Sequence, residues 1–342
     1  MSTTSPKRNL NMSQYTAEAI GLEMERDERI VVIGEDVGTL GGVFGTTRGL
    51  QRRFGDRRVR DMPISEMTFL GMGVGMAMAG LRPLVEIMFA DFLGACLEPV
   101  YNAMAKNHYM SGGHVRIPMV VKTAAGCIGS AAQHSQCLWG TFAHLPGMQV
   151  VAPSCPHDSK GLMAAALESD NPIVYIEHKG LMRRRSEAFL HGAAVPPERY
   201  TLPIGTAQVV RRGSDVTLAT ISAGVVHSLD AAQTLAAEGI EVEVIDLRSL
   251  VPLDAAAVAD SVAHTSRLLV VDEDYLSFGL SGEVIARVVE MLGPSAIRCV
   301  ARHAVPDVPI PAARTLEEVI VPGTASIIRA VRSMFSKGRG AA

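Results

Sequence analysis

Short apolar runs and longer helical stretches alternate along the first half of the chain. The apolar runs predict β-strands at 30–33, 84–87, 119–122, 149–152 and 172–177, and the stretches between them predict helices at 14–26, 66–79, 91–108 and 157–168. The strand runs are apolar at nearly every position, as expected where helices cover both faces of a sheet. This alternation predicts an α/β fold with a parallel, doubly wound sheet.

The alternation stops between residues 183 and 203, where charged residues, proline and glycine predict a linker. A second series follows, with strands predicted at 216–221, 241–246, 268–271 and 297–302 and helices at 223–237, 255–263, 282–292 and 326–335. The sequence therefore predicts two doubly wound α/β domains. The first covers 14–195 and the second 207–335, with a linker at 196–206 and flexible ends at 1–13 and 336–342.

Composition and charge narrow the class of protein. Hydrophobic residues make up 48% of the 342 positions and charged residues 20%, which fits large buried cores. A net charge of −3 gives no electrostatic basis for binding nucleic acid or an anionic membrane. The chain starts without an apolar signal-peptide core, and its longest charge-free apolar run, 67–81, is shorter than the ~20 residues of a membrane span. A cytoplasmic protein is expected.

The cysteines favour buried thiols over a metal or disulfide framework. Five cysteines are scattered without C-x-x-C spacing, which predicts free thiols in the core. Cys137 lies close to two histidines, so a catalytic thiol is an alternative there. No histidine or cysteine pair has the spacing of a structural zinc site, so the sequence predicts no transition-metal site.

Candidate chemistry lies in the loops after the predicted strands, because open α/β sheets bind ligands at the carboxyl ends of their strands. Glu35 and Asp36 follow the first strand, Glu66 begins the second helix, and His134 lies in the loop 123–136. Each has a plainer interpretation. The first two fit turn carboxylates, Glu66 fits a solvated carboxylate stabilised by the helix dipole, and His134 fits a loop histidine bonded to its own backbone.

A glycine-rich stretch follows Glu66 and superficially resembles a dinucleotide-binding loop. Gly71, Gly73 and Gly75 do not have the G-x-G-x-x-G spacing, and they lie within a predicted helix rather than directly after a strand. Glycines at a helix-packing surface are the better interpretation. The sequence also has no Walker A motif and no nucleophile elbow.

In combination and order, the motifs resemble one family closely. They are Gly-Glu-Asp-Val-Gly at 34–38, Asp-Met-Pro-Ile-Ser-Glu at 61–66, Gly-Leu-Arg-Pro at 80–83, Ala-Gln-His-Ser-Gln at 132–136, His-Leu-Pro-Gly at 144–147, Val-Ile-Asp-Leu-Arg at 244–248 and Val-Pro-Ile-Pro at 308–311. With them, residues 15–335 resemble the beta subunit of the thiamine-diphosphate-dependent first component of 2-oxo acid dehydrogenase complexes. The resemblance implies a pyrimidine-type thiamine-binding domain followed by a transketolase C-terminal-type domain.

The resemblance also assigns roles to the candidate residues. A carboxylic acid bonded to the distal pyrimidine nitrogen of thiamine diphosphate drives the cofactor towards its reactive imino form, and the motif implies that this acid is Glu66. Glu35 is similar to a residue of the network near the cofactor, and Phe92 to the aromatic that packs against the aminopyrimidine. His134 would face the substrate and help acyl transfer to a lipoyl arm. His144 is a neighbour with either a catalytic or a supporting role.

Metal binding in this family implies a second chain. Thiamine enzymes hold the diphosphate through Mg²⁺ bound by a Gly-Asp-Gly motif, which this sequence lacks. The resemblance therefore implies an alpha subunit that carries Mg²⁺, an α₂β₂ heterotetramer, and no activity of this chain alone. A family potassium site would fall at Met119, Ala166, Leu167, Ser169 and Asn171, where this sequence diverges from the family.

The expected function is oxidative decarboxylation of a 2-oxo acid, pyruvate first, with reductive acylation of the lipoyl-bearing dihydrolipoamide acyltransferase core. Acetoin cleavage is the close alternative, since Glu-His-Lys at 177–179 resembles acetoin enzymes, and a branched-chain substrate is a further one. A transketolase-like synthase is disfavoured by the missing Gly-Asp-Gly. A non-catalytic docking scaffold is disfavoured because Glu66 and His134 are both present.

Overall fold

The computed structural model describes residues 8–336, and their contacts form two compact units. Of these residues, 8–125 and 142–204 form the first unit, and 126–141 and 205–336 form the second. The predicted first domain, 14–195, thus includes a segment, 126–141, that the structure groups with the second unit. Residues 1–7 and 337–342, most of the predicted flexible ends, lie outside the described residues.

The sheet of the first unit is parallel throughout. Its strands are β1 (Ile30–Gly34), β2 (Val59–Asp61), β3 (Arg82–Ile87), β4 (Val120–Ala125), β5 (Gln149–Val151) and β6 (Ile173–His178). They lie in the order β5-β6-β4-β3-β1-β2, and every neighbouring pair is parallel. The sequence pattern predicted five of them. It did not predict β2, which has three residues and only one buried position.

Helices cover both faces of this sheet. The α-helices up to residue 188 are α1 (Met12–Arg26), α2 (Leu50–Phe54), α3 (Glu66–Met78), α4 (Ala105–Met110), α5 (Trp139–Ala143), α6 (Pro156–Glu168) and α7 (Lys179–Met182), and a 3₁₀ turn (Ser186–Ala188) follows them. Helices α1 and α6 pack on the face that carries Val32 and Leu84. Helix α3 packs on the opposite face, where Val85 points. The first unit is therefore doubly wound, as the sequence predicted.

The predicted helix at 91–108 is not continuous. It consists of a 3₁₀ helix (Ala90–Cys96), a π-helical turn (Pro99–Met104) and α4. Pro99 explains the break, because its ring clashes with the preceding turn and it has no N–H for the helix hydrogen bond. A wider π turn accommodates the missing bond.

The glycines of α3 include one that packing requires. A Cβ atom on Gly73 would lie 2.7 Å from Val85 Cγ2 and 3.3 Å from Met119 Cε, so only glycine lets the helix approach β3 this closely. A Cβ on Gly75 would meet no atom within 4 Å. The helix-packing interpretation thus holds for Gly73.

A buried ion cluster crosses the sheet of the first unit. The Nζ atom of Lys122 lies 3.1 Å from Glu86 Oε2 and 3.1 Å from Glu177 Oε2, and all three side chains are at most 2% exposed. Thr16 Oγ1 donates to Glu177 Oε1 at 2.7 Å. Burial alone would lower the pKa of Lys122, but the two carboxylates raise it on balance. The sequence pattern treated Lys122 as the end of an apolar strand and gave no sign of this cluster.

The second unit has a mixed five-stranded sheet. The strands between residues 205 and 336 are β7 (Gln208–Arg211), β8 (Val216–Thr220), β9 (Val242–Asp246), β10 (Ser249–Val251), β11 (Arg267–Tyr275) and β12 (Cys299–Val305). All of them except β10 belong to this sheet. The sheet order is β12-β11-β8-β9-β7, with β7 antiparallel to β9 and the other pairs parallel. The helices are α8 (Ala223–Ala236), α9 (Ala255–Thr265), α10 (Leu280–Leu292), a 3₁₀ turn (Pro294–Ala296), α11 (Arg314–Ile320) and α12 (Thr324–Ser336).

The core of the second unit lies between this sheet and helices α8 and α12. Leu229 and Leu235 of α8 and Val331 of α12 pack against Val244 and Leu269 of the strands. Together the two units confirm the predicted fold class. No helix among residues 8–336 is both long and apolar enough to cross a membrane.

Candidate active site

Glu35 lies directly after β1, at the carboxyl end of the first sheet. The preceding Gly34 makes this position possible, because a Cβ there would lie 2.6 Å from the carbonyl oxygen of Glu86 on the neighbouring strand. The Glu35 side chain is therefore drawn into the protein and is 6% exposed. Its Oε1 atom is buried and has no hydrogen-bond partner among residues 8–336. Such an orphaned acceptor is costly unless a ligand or a proton satisfies it.

Glu66 reaches the same edge of the sheet from the next strand. Strand β2 lies beside β1 in parallel register, and Glu66 is the first residue of α3, which follows β2. The preceding Ser65 makes no side-chain cap to the helix. Glu66 is half-buried. Parallel neighbouring strands place their following loops at one edge, which brings Glu35 and Glu66 together.

The two carboxyl groups interact electrostatically. Burial raises the pKa of Glu35, and the charges of Glu66 and Asp36 raise it further. The two carboxyl groups therefore lie close enough for the charge of Glu66 to disfavour the charge of Glu35. This arrangement can hold and share a proton.

Cys96 lies beside the same pair. Burial raises the pKa of its thiol to about 12, and the charges of Glu66 and Glu35 contribute to the shift. The sequence identified Cys96 only as a core thiol. No spacing signal connects it to Glu35 or Glu66, because the 3₁₀ helix that carries it comes from another strand crossover.

Phe92 lies on this same 3₁₀ helix and belongs to an aromatic cluster. Its ring packs edge-on against Phe89, with centroids 5.3 Å apart, and Phe89 packs edge-on against Phe44 at 5.9 Å. All three side chains are half-buried. Phe44 comes from the Gly-Gly-Val-Phe run at 41–44. The cluster supplies apolar ring surface on the element that also carries Cys96.

His134 belongs to the second unit, in the segment 126–141. Carboxylates of that unit hold the segment at both ends. Glu317 accepts from the Gly129 N–H at 2.9 and 3.0 Å, and Glu273 accepts from the Cys127 N–H at 2.8 Å. At the other end, Asp272 accepts from Trp139 Nε1 at 3.0 Å. His134 itself is half-buried.

The alternative of a catalytic thiol at Cys137 is disfavoured. Cys137 is 1% exposed, and burial raises the pKa of its thiol well above the usual range, with nearby Glu273 adding to the effect. A thiolate nucleophile requires the opposite shift. His144, the other candidate neighbour, is exposed and lies in the first unit.

Comparison with known proteins identifies the family. The model for "Transketolase, pyrimidine binding domain" matches residues 8–185, and the model for "Transketolase, C-terminal domain" matches residues 205–327. The chain is 38% identical to the acetoin:2,6-dichlorophenolindophenol oxidoreductase subunit beta of Cupriavidus necator, over 97% of this chain and 99% of that protein. The chain belongs to this family of transketolase-type beta subunits.

The family includes pyruvate dehydrogenase proteins. This chain is 41% identical to the pyruvate dehydrogenase E1 component subunit beta-1 of Arabidopsis thaliana, over 91% of this chain and 85% of that protein. It is 40% identical to the corresponding mouse subunit, over 96% of this chain and 91% of that protein. A solved structure, "Split gene transketolase, inactive beta4 tetramer", shares the fold with a TM-score of 0.77 at 22% identity, covering 96% of this chain and 99% of that chain.

Two of the predicted potassium ligands, Leu167 and Ser169, offer their carbonyl oxygens to an arginine in this beta subunit. The Leu167 carbonyl accepts from Arg82 Nε at 3.0 Å, and the Ser169 carbonyl also accepts from the Arg82 guanidinium. The Met119 carbonyl accepts from the Ile173 N–H at 2.9 Å. A guanidinium at these oxygens disfavours a second cation there. The potassium site stays a prediction that this geometry does not favour.

A cleft of the first unit lies away from these residues. It has a volume of about 620 Å³ and lies between α1 and the stretch 43–53, with Arg48, Arg53 and Arg183 in its wall. None of Glu35, Glu66 and Phe92 lines it. Glu35 and Glu66 therefore lie at the carboxyl ends of the strands and outside this cleft.

Proposed function

We propose that this chain is the beta subunit of a thiamine-diphosphate-dependent 2-oxo acid dehydrogenase, with pyruvate as the first candidate substrate. The reaction would be oxidative decarboxylation with reductive acylation of a lipoyl carrier. The observation that carries the proposal is the pairing of buried Glu35 with Glu66 at the carboxyl ends of β1 and β2. The nearly full-length similarity to pyruvate dehydrogenase E1 beta subunits supports it.

The residues present fit the aminopyrimidine of thiamine diphosphate. The cofactor, when bound, supplies the carbon nucleophile and electron sink that decarboxylation of a 2-oxo acid needs. Glu66, as a carboxylic acid, would donate a hydrogen bond to the distal ring nitrogen and hold the proton there. Glu35, whose pKa is raised by burial and by the charge of Glu66, would lie beside this carboxyl group and help to orient it. Phe92 would pack its half-buried ring against the pyrimidine face.

His134 would serve the substrate side of the site. The segment 126–141 is anchored at Gly129 and Trp139, so its histidine is carried by a supported loop rather than an unattached one. An imidazole whose ordinary pKa lies near neutrality can donate to a developing alkoxide and later return the proton. This role is assigned by the position of His134 in the family motif.

The proposal includes a second chain. The sequence has no Gly-Asp-Gly motif, so an alpha subunit would bind Mg²⁺ and the diphosphate in an α₂β₂ heterotetramer. The acyl group would pass to the lipoyl-bearing dihydrolipoamide acyltransferase core, and the complex would work in the cytoplasm. Activity is expected only with the alpha subunit.

Acetoin cleavage is a second candidate function. Two relatives at 38% identity, from Cupriavidus necator and Bacillus subtilis, are acetoin:2,6-dichlorophenolindophenol oxidoreductase beta subunits. The run Glu-His-Lys at 177–179 adds less support, since Glu177 is fully buried and paired with Lys122. The same carboxylate pair would serve this reaction.

Co-expression with an alpha subunit, identified by co-purification with this chain, tests both functions. The purified pair would be assayed on pyruvate, branched 2-oxo acids and acetoin, with a lipoyl domain or 2,6-dichlorophenolindophenol as acceptor. Turnover that requires both chains and thiamine diphosphate is the expected result. A pair that binds thiamine diphosphate stoichiometrically yet turns over none of these substrates would rule out the proposed reaction.

A further inference from the structure

Three metal-ligating side chains converge at the start of α6, away from the carboxylate pair. Cys155 Sγ lies 3.4 Å from His191 Nε2, and His191 Nε2 lies 4.0 Å from Asp158 Oδ2. One ligand atom from each residue lies within 4.8 Å of the other two. Cys155 and Asp158 are fully buried, and the His191 side chain is 15% exposed. All three belong to the first unit.

The local structure brings these side chains together. Cys155 is the N-cap residue of α6, but its side chain makes no cap hydrogen bond. Pro156 starts the helix, and Asp158 lies in its first turn. His191 arrives from the stretch before the second unit, where the His157 N–H donates to the Gly192 carbonyl at 3.1 Å.

Gly192 permits this approach. Its φ is +64°, and a Cβ atom there would lie 2.1 Å from Cys155 Sγ. Any other residue would have to displace either the thiol or the backbone that carries His191. The close contact therefore depends on glycine at a position that the sequence alone marks only as part of the linker.

The geometry differs from that of a nucleophile triad. In a triad the nucleophile and the carboxylate bind opposite nitrogens of the imidazole. Here the thiol and the carboxylate both approach Nε2. Two groups that share one ring nitrogen resemble ligands around a common centre.

The spacing fits a tetrahedral metal ion. Bonds to zinc of about 2.3 Å from sulfur and about 2.0–2.2 Å from nitrogen and oxygen place neighbouring ligand atoms roughly 3.4–3.6 Å apart. The thiol–imidazole distance already has this value, and the imidazole–carboxylate distance needs to shorten by about half an ångström. The other oxygen of Asp158 lies 3.2 Å from His157 Nδ1, a contact that orients the carboxylate.

We propose that Cys155, Asp158 and His191 form a binding site for a divalent transition-metal ion, with zinc as the preferred ion. A thiolate, an imidazole and a carboxylate suit zinc, and a water molecule would complete the coordination. The ion would fasten residues 191–204 to α6, where Tyr200 already donates to the His157 carbonyl at 2.8 Å. The sequence predicted no transition-metal site because the ligands at 155, 158 and 191 do not follow a zinc-finger spacing.

Cobalt titration of the chelator-treated, full-length chain tests the site. Co²⁺ reports thiolate ligation through a sulfur-to-metal charge-transfer band and tetrahedral geometry through intense visible bands. One Co²⁺ per chain is expected, displaced by one equivalent of Zn²⁺. Cys155→Ser should abolish the charge-transfer band and weaken binding by more than the roughly 100-fold that loss of an outer hydrogen-bond partner costs.

Two further variants keep the test decisive. Cys299→Ser removes a half-buried thiol on β12 and should leave the spectrum unchanged. His191→Ala removes the most exposed ligand, so it should fold even if Cys155→Ser does not, and zinc should raise the melting temperature of the wild type but not of this variant. A charge-transfer band that survives in both ligand variants, or a wild-type chain that takes up no Co²⁺ or Zn²⁺, would overturn the proposal.

Discussion

The carboxyl group of Glu35 lies close enough to that of Glu66 for the charge of Glu66 to raise the pKa of Glu35. The two residues follow neighbouring parallel strands, and each alone would be an ordinary loop or helix-start carboxylate. Together, the burial of Glu35 and the nearby charge of Glu66 make ionisation of Glu35 less favourable. This interaction depends on the strand order, because β1 and β2 are parallel neighbours and bring the two residues to one edge of the sheet.

Replacing Glu66 by glutamine is expected to remove most of the activity. The amide cannot hold a proton as a carboxylic acid does, so turnover of the complex with its alpha subunit should fall by about 100-fold or more. The unfolding midpoint should change little, since Glu66 is only half-buried. Steady-state kinetics and thermal unfolding of the same preparation measure both.

Glu28→Gln is the matched control for this substitution. Glu28 is exposed in the turn between α1 and β1 and lies outside the carboxylate pair. It should keep wild-type turnover. Near-normal activity of a folded Glu66→Gln variant would show that Glu66 is only a helix-start carboxylate.

The sequence predicted what depends on local pattern and missed what depends on strand order. Apolar runs predicted five of the first unit's strands, and motif order predicted Glu35 and Glu66 as site residues. The neighbourhood of Cys96 was not predictable, because only the packing of the 3₁₀ helix at 90–96 brings its thiol to the pair. The ion pairs of Lys122 were not predictable for the same reason, since its carboxylate partners lie on two other strands.

The placement of segment 126–141 was also not predictable from the order of residues along the chain. By chain position it belongs to the predicted first domain, yet Trp139 and Gly140 bond to Asp272 and Asp274 of the second unit. A single boundary along the sequence cannot describe this arrangement, because the chain passes from the first unit to the second at residue 126 and back to the first at residue 142. The proposed metal ligands Cys155, Asp158 and His191 were likewise not predicted, because their spacing along the sequence is not that of a structural zinc site.

Gly73→Ala should destabilise the protein although alanine favours helices. The new Cβ would lie 2.7 Å from Val85 Cγ2, so β3 or α3 must shift, at a cost of about 1–3 kcal/mol. Gly75→Ala, two residues on in the same helix, meets no atom within 4 Å and should stabilise by roughly 0.5–1 kcal/mol. Urea unfolding of the two variants measures the difference, and equal effects would contradict the packing account.

Lys122→Met should destabilise the first unit strongly. The substitution leaves the carboxylates of Glu86 and Glu177 buried without their cation, which costs about 3–5 kcal/mol. Lys106→Met on α4 removes an exposed ammonium bonded to Asn102 and should change the free energy of unfolding by less than about 0.5 kcal/mol. Denaturant unfolding of the two variants measures the difference between their free energies of unfolding. A small effect of Lys122→Met would mean that the two carboxylates become protonated at little cost.

Asp272 should make the stability of the second unit fall as pH rises. Burial, with help from the charge of Asp274, raises the pKa of Asp272 to about 7. Because the folded state then binds this proton more tightly than the unfolded state, the stabilisation is complete below pH ~4 and is lost as pH rises to about 7. The shift corresponds to a loss on the order of 4 kcal/mol across that interval.

The pH dependence can be isolated by subtracting the unfolding free energy of Asp272→Asn from that of the wild type at each pH from 4 to 8. The difference should decrease steadily with pH. Asp307→Asn is the control, because hydrogen bonds from Ser277 hold the pKa of Asp307 below its usual range. For Asp307→Asn, the difference in unfolding free energy should stay flat above pH ~5, since Asp307 is ionised there in both the folded and the unfolded state. A flat difference for Asp272 would show that its carboxyl is charged in the folded protein, despite its burial beside Trp139.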